Sequence, residues 1–117
     1  MLAGCAKEQT SPQGVLSPQI SGGWKRSDIT TPASAAPDVI EKLGVDSSAE
    51  AVYDGPGHVT VRVYSMRSET GAFEAMQKWR PPDGVGIQKG RYFVTASGGG
   101  TSANLAVISE FQKIPVR

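Results

Sequence analysis

The stretch His58-Val59-Thr60-Val61-Arg62-Val63-Tyr64-Ser65-Met66 decides the fold of this chain. Its residues alternate strictly and put three valines on one face, as in a β-strand with one buried side. The turn sequence Asp54-Gly55-Pro56-Gly57 precedes it, and residues 48–53 before that turn predict another strand. The core of the chain is therefore expected to be built on antiparallel strands.

Downstream of this strand, Ser68 can cap a helix over about residues 69–79. Four apolar side chains recur there at helical spacing and are expected to face the core as one stripe: Ala72, Phe73, Met76 and Trp79. The sequence Pro81-Pro82-Asp83-Gly84 ends the helix, because proline removes a backbone donor and clashes with the preceding turn.

A hairpin and a last helix complete the chain. Residues 85–88 and 91–96 predict two strands around Lys89-Gly90, since glycine supplies the positive φ of a tight turn. The glycine-rich connector of residues 97–100 then leads into a helix over about residues 101–113. Three of its side chains are expected to face the core: Leu105, Ile108 and Phe111.

Upstream, Pro37 and Asp38 can start a short helix that Gly44 ends. The order is thus one helix followed twice by strand-strand-helix. We predict an α+β fold, with a four-stranded antiparallel sheet, helices on one face and an extended N-terminal arm. Residues 1–5 would be a signal-peptide remnant, residues 6–34 a tether or arm, and residues 35–117 a single domain.

The predicted arm is polar and rich in proline, with no sustained hydrophobic period. Trp24 interrupts it, and an indole in a polar arm usually has a partner surface. Two interpretations follow. Trp24 either pins the arm onto its own domain or docks on another protein.

The overall composition permits one hydrophobic core. The chain has 117 residues, of which 38% are hydrophobic, and a formal net charge of +1. That charge lacks the strong basic balance of a dedicated nucleic-acid-binding protein. No run of 18 consecutive apolar residues occurs in the sequence.

The sequence Leu2-Ala3-Gly4-Cys5 resembles the bacterial lipobox, in which the cysteine sulfur receives a diacylglycerol and the chain is cut just before it. Ala6 is not the aspartate that, in that family, retains proteins at the inner membrane. A secretory signal needs a charged region and an apolar stretch of about 7–15 residues. Only Met1 precedes Leu2 here, so either the signal starts upstream or the match is accidental.

The resemblance implies lipidation at Cys5, the single cysteine, and a membrane contact through that anchor. A second resemblance covers about residues 20–113 and is to a domain of unknown function found in bacterial secreted proteins and lipoproteins. It rests on Val59 to Met66, on Gly71-Ala72-Phe73-Glu74-Ala75 with Trp79, and on Gly90-Arg91-Tyr92-Phe93-Val94. It implies an extracytoplasmic α+β domain whose matching residues serve packing.

Candidate chemistry is sparse. His58 is the only histidine and follows Asp54 by four residues. The spacing of residues does not place a nucleophile beside it for a catalytic triad. The sequence also offers too few ligands near it for a metal site. The glycine-rich connector before the last helix could hold an anion on its backbone amides. It lacks the lysine and the spacing of a phosphate-binding loop, so a helix cap is the simpler interpretation.

The second face of the sheet is the best candidate for binding. It should carry Thr60, Arg62, Tyr64 and Met66, joined by either Arg91, Phe93 and Thr95 or Tyr92, Val94 and Ala96. Such a face can stack nucleic-acid bases, form a protein interface, or be covered by the arm. A near-zero charge and a lipid anchor favour a protein partner, and we select Trp24, Arg62 and Tyr64 as partner-binding candidates.

The sequence therefore predicts a non-catalytic, lipid-anchored accessory or structural subunit. It would lie on the extracytoplasmic, periplasmic side of a bacterial membrane complex, with respiratory and photosynthetic complexes as candidates. We expect no cofactor, no metal and no nucleic-acid partner. The alternative is a periplasmic module that binds a small ligand or an anion.

Overall fold

The computed structural model describes residues 16, 19–20, 22–31, 38–79 and 84–113. Six strands and three helices lie in these ranges. The strands are β1 (Gln19–Ile20), β2 (Trp24–Arg26), β3 (Val45–Asp54), β4 (His58–Met66), β5 (Gly84–Lys89) and β6 (Tyr92–Ser97). The helices are α1 (Asp38–Leu43), α2 (Glu69–Lys78) and α3 (Gly100–Lys113). The predicted α+β class and the order of elements from residue 38 onward are confirmed.

All described strands form one antiparallel sheet in the order β1-β2-β3-β4-β6-β5. The prediction of four strands was wrong, because residues of the predicted arm supply β1 and β2. Arg26 of β2 lies opposite Tyr53 of β3, and Thr30 forms a further bridge with Glu50. The sheet thus begins well before residue 35, the expected start of the domain.

The helices cover both faces of the sheet, which corrects the prediction that they share one. α3 packs on the face that carries Val59, Val61 and Val63, as part of the larger apolar cluster. α1 and α2 pack on the opposite face, over Tyr64 and Met66. The reason is that the end of β4 is apolar on both sides, and every residue of β6 is buried.

The ends of the helices follow the local signals in the sequence. Ser68 caps α2, and its Oγ accepts a hydrogen bond of 3.0 Å from the backbone N–H of Gly71. Gly44 follows α1 with φ of +94°, a conformation that glycine adopts without the clash a β-carbon causes.

Two apolar side chains lie outside the core, contrary to prediction. Phe73 of α2 is 44% exposed and Leu105 of α3 is 46% exposed. In each helix the buried residues occupy an arc that excludes these positions: Gly71, Ala72 and Ala75 in α2, and Asn104, Val107, Ile108 and Phe111 in α3. The spacing of apolar residues predicted which side of each helix is buried. It did not distinguish positions at the centre of the buried arc from positions at its edge.

Candidate interaction surface

One part of the second sheet face is not buried beneath any of the three described helices. α1 and α2 pack over the Tyr64 and Met66 end of β4, and the other end carries polar side chains that are exposed or half-buried. We call this region the polar sector, and its residues are Lys25, Glu50, Asp54, His58, Thr60 and Arg62. Strand register brings them together, because Glu50 lies opposite Arg62, Asp54 opposite His58 and Lys25 opposite Asp54.

Arg62 is the central charge of the polar sector. Its Nε donates to Glu50 Oε1 at 3.1 Å, and the two side chains are 27% and 20% exposed. No further partner of the Arg62 guanidinium is found among the described residues, which leaves its terminal N–H groups available to an acceptor. Both side chains are more than two thirds buried, so solvent screens this pair less than it screens an ion pair on the surface.

The other two candidate contact residues lie inside the protein. Trp24 is 4% exposed and belongs to the apolar cluster under α3. Tyr64 is 2% exposed and stacks on Phe93, with ring centroids 6.0 Å apart. Burial raises the pKa of Tyr64, and the nearby Arg62 charge opposes that shift. Of the three candidates, only Arg62 presents a side chain to solvent.

Trp24 therefore pins its segment onto its own domain, which is the first of the two interpretations open from sequence. A second contact supports the same attachment, because the backbone N–H of Ser27 donates to the carbonyl oxygen of Val52 in β3 at 2.8 Å. Within the segment, Arg26 Nη1 donates to the carbonyl oxygen of Leu16 at 2.6 Å. Leu16 is itself buried in the cluster that contains Trp24. The indole in a polar segment was the signal in the sequence that identified the Trp24 contact. Nothing in the sequence indicated that the residues beside Trp24 pair with β3.

His58 lies at the exposed end of the β3–β4 hairpin. Its Nδ1 pairs with Asp54 Oδ1, and the two side chains are 82% and 53% exposed. Within the ranges that the structure describes, no group of three or more histidine, cysteine or acidic side chains is arranged to hold a metal ion. The pair is a solvent-exposed contact at the end of the hairpin.

The glycine-rich connector before α3 is already occupied by a side chain of the protein. The backbone N–H of Gly99 donates to Asn104 Oδ1 at 3.1 Å, and Asn104 is buried. A β-carbon at Gly99 would lie 2.6 Å from Val59 Cγ2, so the connector packs closely on β4. An anion would have to displace Asn104 to reach this amide, which weakens the case for an anion-binding module. Sequence reasoning missed Asn104, because it is the fifth residue of α3 and the usual capping signal applies to the residue before a helix.

Cys5 and the rest of the lipobox lie outside the described residues. No helix within the described ranges is long and apolar enough to cross a membrane. Comparison of the chain with models of protein families, with curated proteins and with solved structures finds no match.

Proposed function

We propose that this protein is a non-catalytic, lipid-anchored accessory or structural subunit on the extracytoplasmic side of a bacterial membrane complex. In this proposal Cys5 carries the anchor and the polar sector contacts a neighbouring protein subunit, with Arg62 at its centre. The compartment and the anchor rest on the match of Leu2-Ala3-Gly4-Cys5 to the lipobox.

The observation that carries the proposed contact is the state of Arg62. The side chain is half-buried and oriented by Glu50, yet its terminal N–H groups have no partner among the described residues. Arginine is enriched at protein interfaces because its planar fork donates several directed hydrogen bonds while its stem packs on apolar surface. A pre-oriented guanidinium also loses less side-chain entropy on binding than a free one.

The charge pattern of the polar sector favours a polar protein surface as the partner. Positive and negative side chains lie opposite each other across the strands as Lys25 and Asp54, and as Arg62 and Glu50. Mixed charges of this kind set register and partner choice more than affinity. A nucleic acid would instead require an excess of positive charge, which the net charge of +1 does not provide.

The contact can be tested by co-purification from detergent-solubilised membranes of the native host. We expect Arg62→Ala to lower recovery of the partner at least tenfold, the effect of losing an interaction of about 1.4 kcal/mol. Arg67→Ala is the matched control, because Arg67 is exposed, pairs with Asp46 at 3.7 Å and follows the opposite end of β4. Equal recovery of a partner with both variants would reject the polar sector as the contact.

A second variant guards against a folding defect. Thr60→Arg adds a bulky charge to the polar sector without breaking the Arg62–Glu50 pair, since Thr60 is half-buried beside it. It should block the same partner while the circular dichroism spectrum stays unchanged. Recovery of the wild-type protein without any partner, at every detergent concentration, would contradict the accessory-subunit proposal.

The anchor is tested separately by intact-mass spectrometry of the native protein. We expect a mature chain that starts at Cys5 with the added mass of acyl groups, and Cys5→Ser should abolish that mass. An unmodified cysteine in the native protein would remove the lipid anchor from the proposal while leaving the Arg62 contact open to its own test.

A further inference from the structure

The two edges of the sheet differ in length and protection. β1 is an edge strand of only two residues, whereas β5 is an edge strand of six and pairs with β6 alone among the described strands. Natural proteins protect long edges with charges, prolines or bulges. The first five residues of β5, Gly84-Val85-Gly86-Ile87-Gln88, contain none of these residue types. Among the described residues, no strand pairs with the outer edge of β5, so the backbone of β5 is a candidate for pairing with another strand.

Leu105 lies beside this edge on one face of the sheet. Ala103 of α3 points toward Gly57, just before β4, where a β-carbon would lie 3.9 Å from Ala103 Cβ. Residues two apart in a helix point about 160° away from each other, so Leu105 faces the opposite way, toward β5. α3 runs roughly parallel to β5, because Gly84 at the start of the strand lies opposite Ser97, just before α3, and Lys89 Nζ at its end donates to the Gln112 carbonyl at 2.9 Å. Leu105 is thus close to the middle of β5.

Phe73 lies beside the same edge on the other face. Gly71 of α2 faces α1, where a β-carbon would lie 3.3 Å from the Leu43 carbonyl oxygen. Phe73 points about 160° away from Gly71, toward β5. Gln88 Nε2 donates to the Glu69 carbonyl at 3.2 Å, which sets the start of α2 beside the end of β5. Phe73 follows by one helical turn, about 6 Å, and also comes near the middle of the strand.

The only exposed large hydrophobic side chains among the described residues are these two, and they flank the open edge from above and below. We propose that the β5 edge is the interface of a homodimer, in which β5 pairs antiparallel with β5 of a second copy across a two-fold axis. The sheet then continues through the axis, and each face places like helices side by side. This inference is independent of the lipid anchor and of the polar sector.

A second copy fits the spacing of the layers better than an isolated strand does. α2 and α3 each pack across β5 and β6, on opposite faces. The axis of a helix that packs over both strands lies about half a strand spacing from β5, on the β6 side. If β5 pairs with β5 of a second copy, the axes of the same helix in the two copies lie about 10 Å apart. That is the ordinary distance between packed helices. A lone strand would pair with the backbone but would leave Leu105 and Phe73 without a facing helix.

The charges beside β5 are also compatible with antiparallel pairing of two copies. Its ionisable neighbours Glu69 and Lys89 lie at the carboxyl end of β5 and have opposite signs. Antiparallel pairing moves the copies of this end to opposite extremes of the seam, so like charges do not meet. A seam about 20 Å long and three layers, or roughly 30 Å, deep gives about 600 Å² per copy. That lies at the low end of specific interfaces, so association in the micromolar range is expected.

Sedimentation of the full 117-residue chain under reducing conditions tests the dimer. We expect a dissociation constant of about 10 μM, so the protein is measured between about 1 and 300 μM. Over this range the average mass should rise from that of one chain, 12.3 kDa, to twice that value. Leu105→Glu should raise the dissociation constant at least tenfold. An equimolar mixture of Leu105→Glu and Leu105→Lys should associate more strongly than either alone, because the two Leu105 positions lie near the axis.

Ala106→Glu is the matched control, since Ala106 is exposed on the same helix about 100° around from Leu105. It should dimerise like the wild-type chain. A wild-type chain that stays monomeric at 300 μM, a concentration well above the micromolar range, would overturn the proposal. So would a dimer that Leu105→Glu and Phe73→Glu leave intact, because its interface would then lie elsewhere. Circular dichroism shows whether each variant retains the fold.

Discussion

Replacing Trp24 with alanine measures how firmly the segment before residue 35 is attached to the domain. The indole is 4% exposed and packs in the cluster under α3, yet β2 is only three residues long. A buried tryptophan removes about 200 Å² from water, worth about 5 kcal/mol at 25 cal/mol per Å². The alanine retained and a compact unfolded chain reduce this, so we expect a loss of about 3 kcal/mol in the free energy of unfolding.

That loss is large enough to measure in two ways. With an unfolding entropy of about 2.1 cal/mol/K per residue over the 117-residue chain, 3 kcal/mol lowers the melting temperature by about 12 °C. Urea denaturation followed by circular dichroism gives the same quantity as a lower midpoint. Lys25→Ala is the control, because Lys25 is the exposed neighbour in the same strand and should change stability by less than about 0.5 kcal/mol.

A loss of less than about 1 kcal/mol would contradict core burial of Trp24, since removing a tryptophan from a core contact costs more than that. A loss that depends on protein concentration in the Leu105→Glu background, where the β5 dimer is weakened, would show that the arm is held by a second molecule. A loss close to the expected value at every concentration would establish attachment within one chain.

Two further predictions concern buried polar groups. Burial raises the pKa of Tyr53 well above its ordinary value of 10.0. As pH rises, the tyrosine therefore loses its proton in the unfolded chain before it does so in the folded chain. The stability that is present below about pH 10 should then decline above that pH. Urea midpoints from pH 8 to 11 check this, and Tyr53→Phe should flatten the decline. Asn104→Ala should cost about 1–2 kcal/mol because it leaves the Gly99 amide without its acceptor. Thermal melts of the wild-type chain and the variant check this, and a loss below about 0.5 kcal/mol would contradict that role of Asn104.

The sequence located the regular elements of the domain because local signals specify them. The alternation from His58 to Met66 has the period of a strand, and the structure assigns β4 to those same residues. Ser68 caps α2 as predicted, and Gly90 forms the β5–β6 turn with φ of +60°. These features depend on backbone preferences within a few residues, which a single sequence records directly.

The candidate contact residues were predicted less well. Trp24, Arg62 and Tyr64 all carry side-chain types that suit interfaces, but residue type does not reveal which face a neighbouring helix covers. Tyr64 is buried because α1 and α2 pack over its end of β4, while Arg62 lies two residues earlier and stays accessible. Where helices pack along a strand depends on contacts between segments far apart in sequence.

By itself the sequence determined the class of the fold, the bounds of its central strand and helices, and the valine face that became the core, since each follows from periodicity and local capping. Only the tertiary structure decided that the segment around Trp24 extends the sheet, that helices cover both faces, and that Phe73 and Leu105 lie exposed. The physical reason is that a helix buries only the arc that its neighbours cover, and strand pairing sets which neighbours those are.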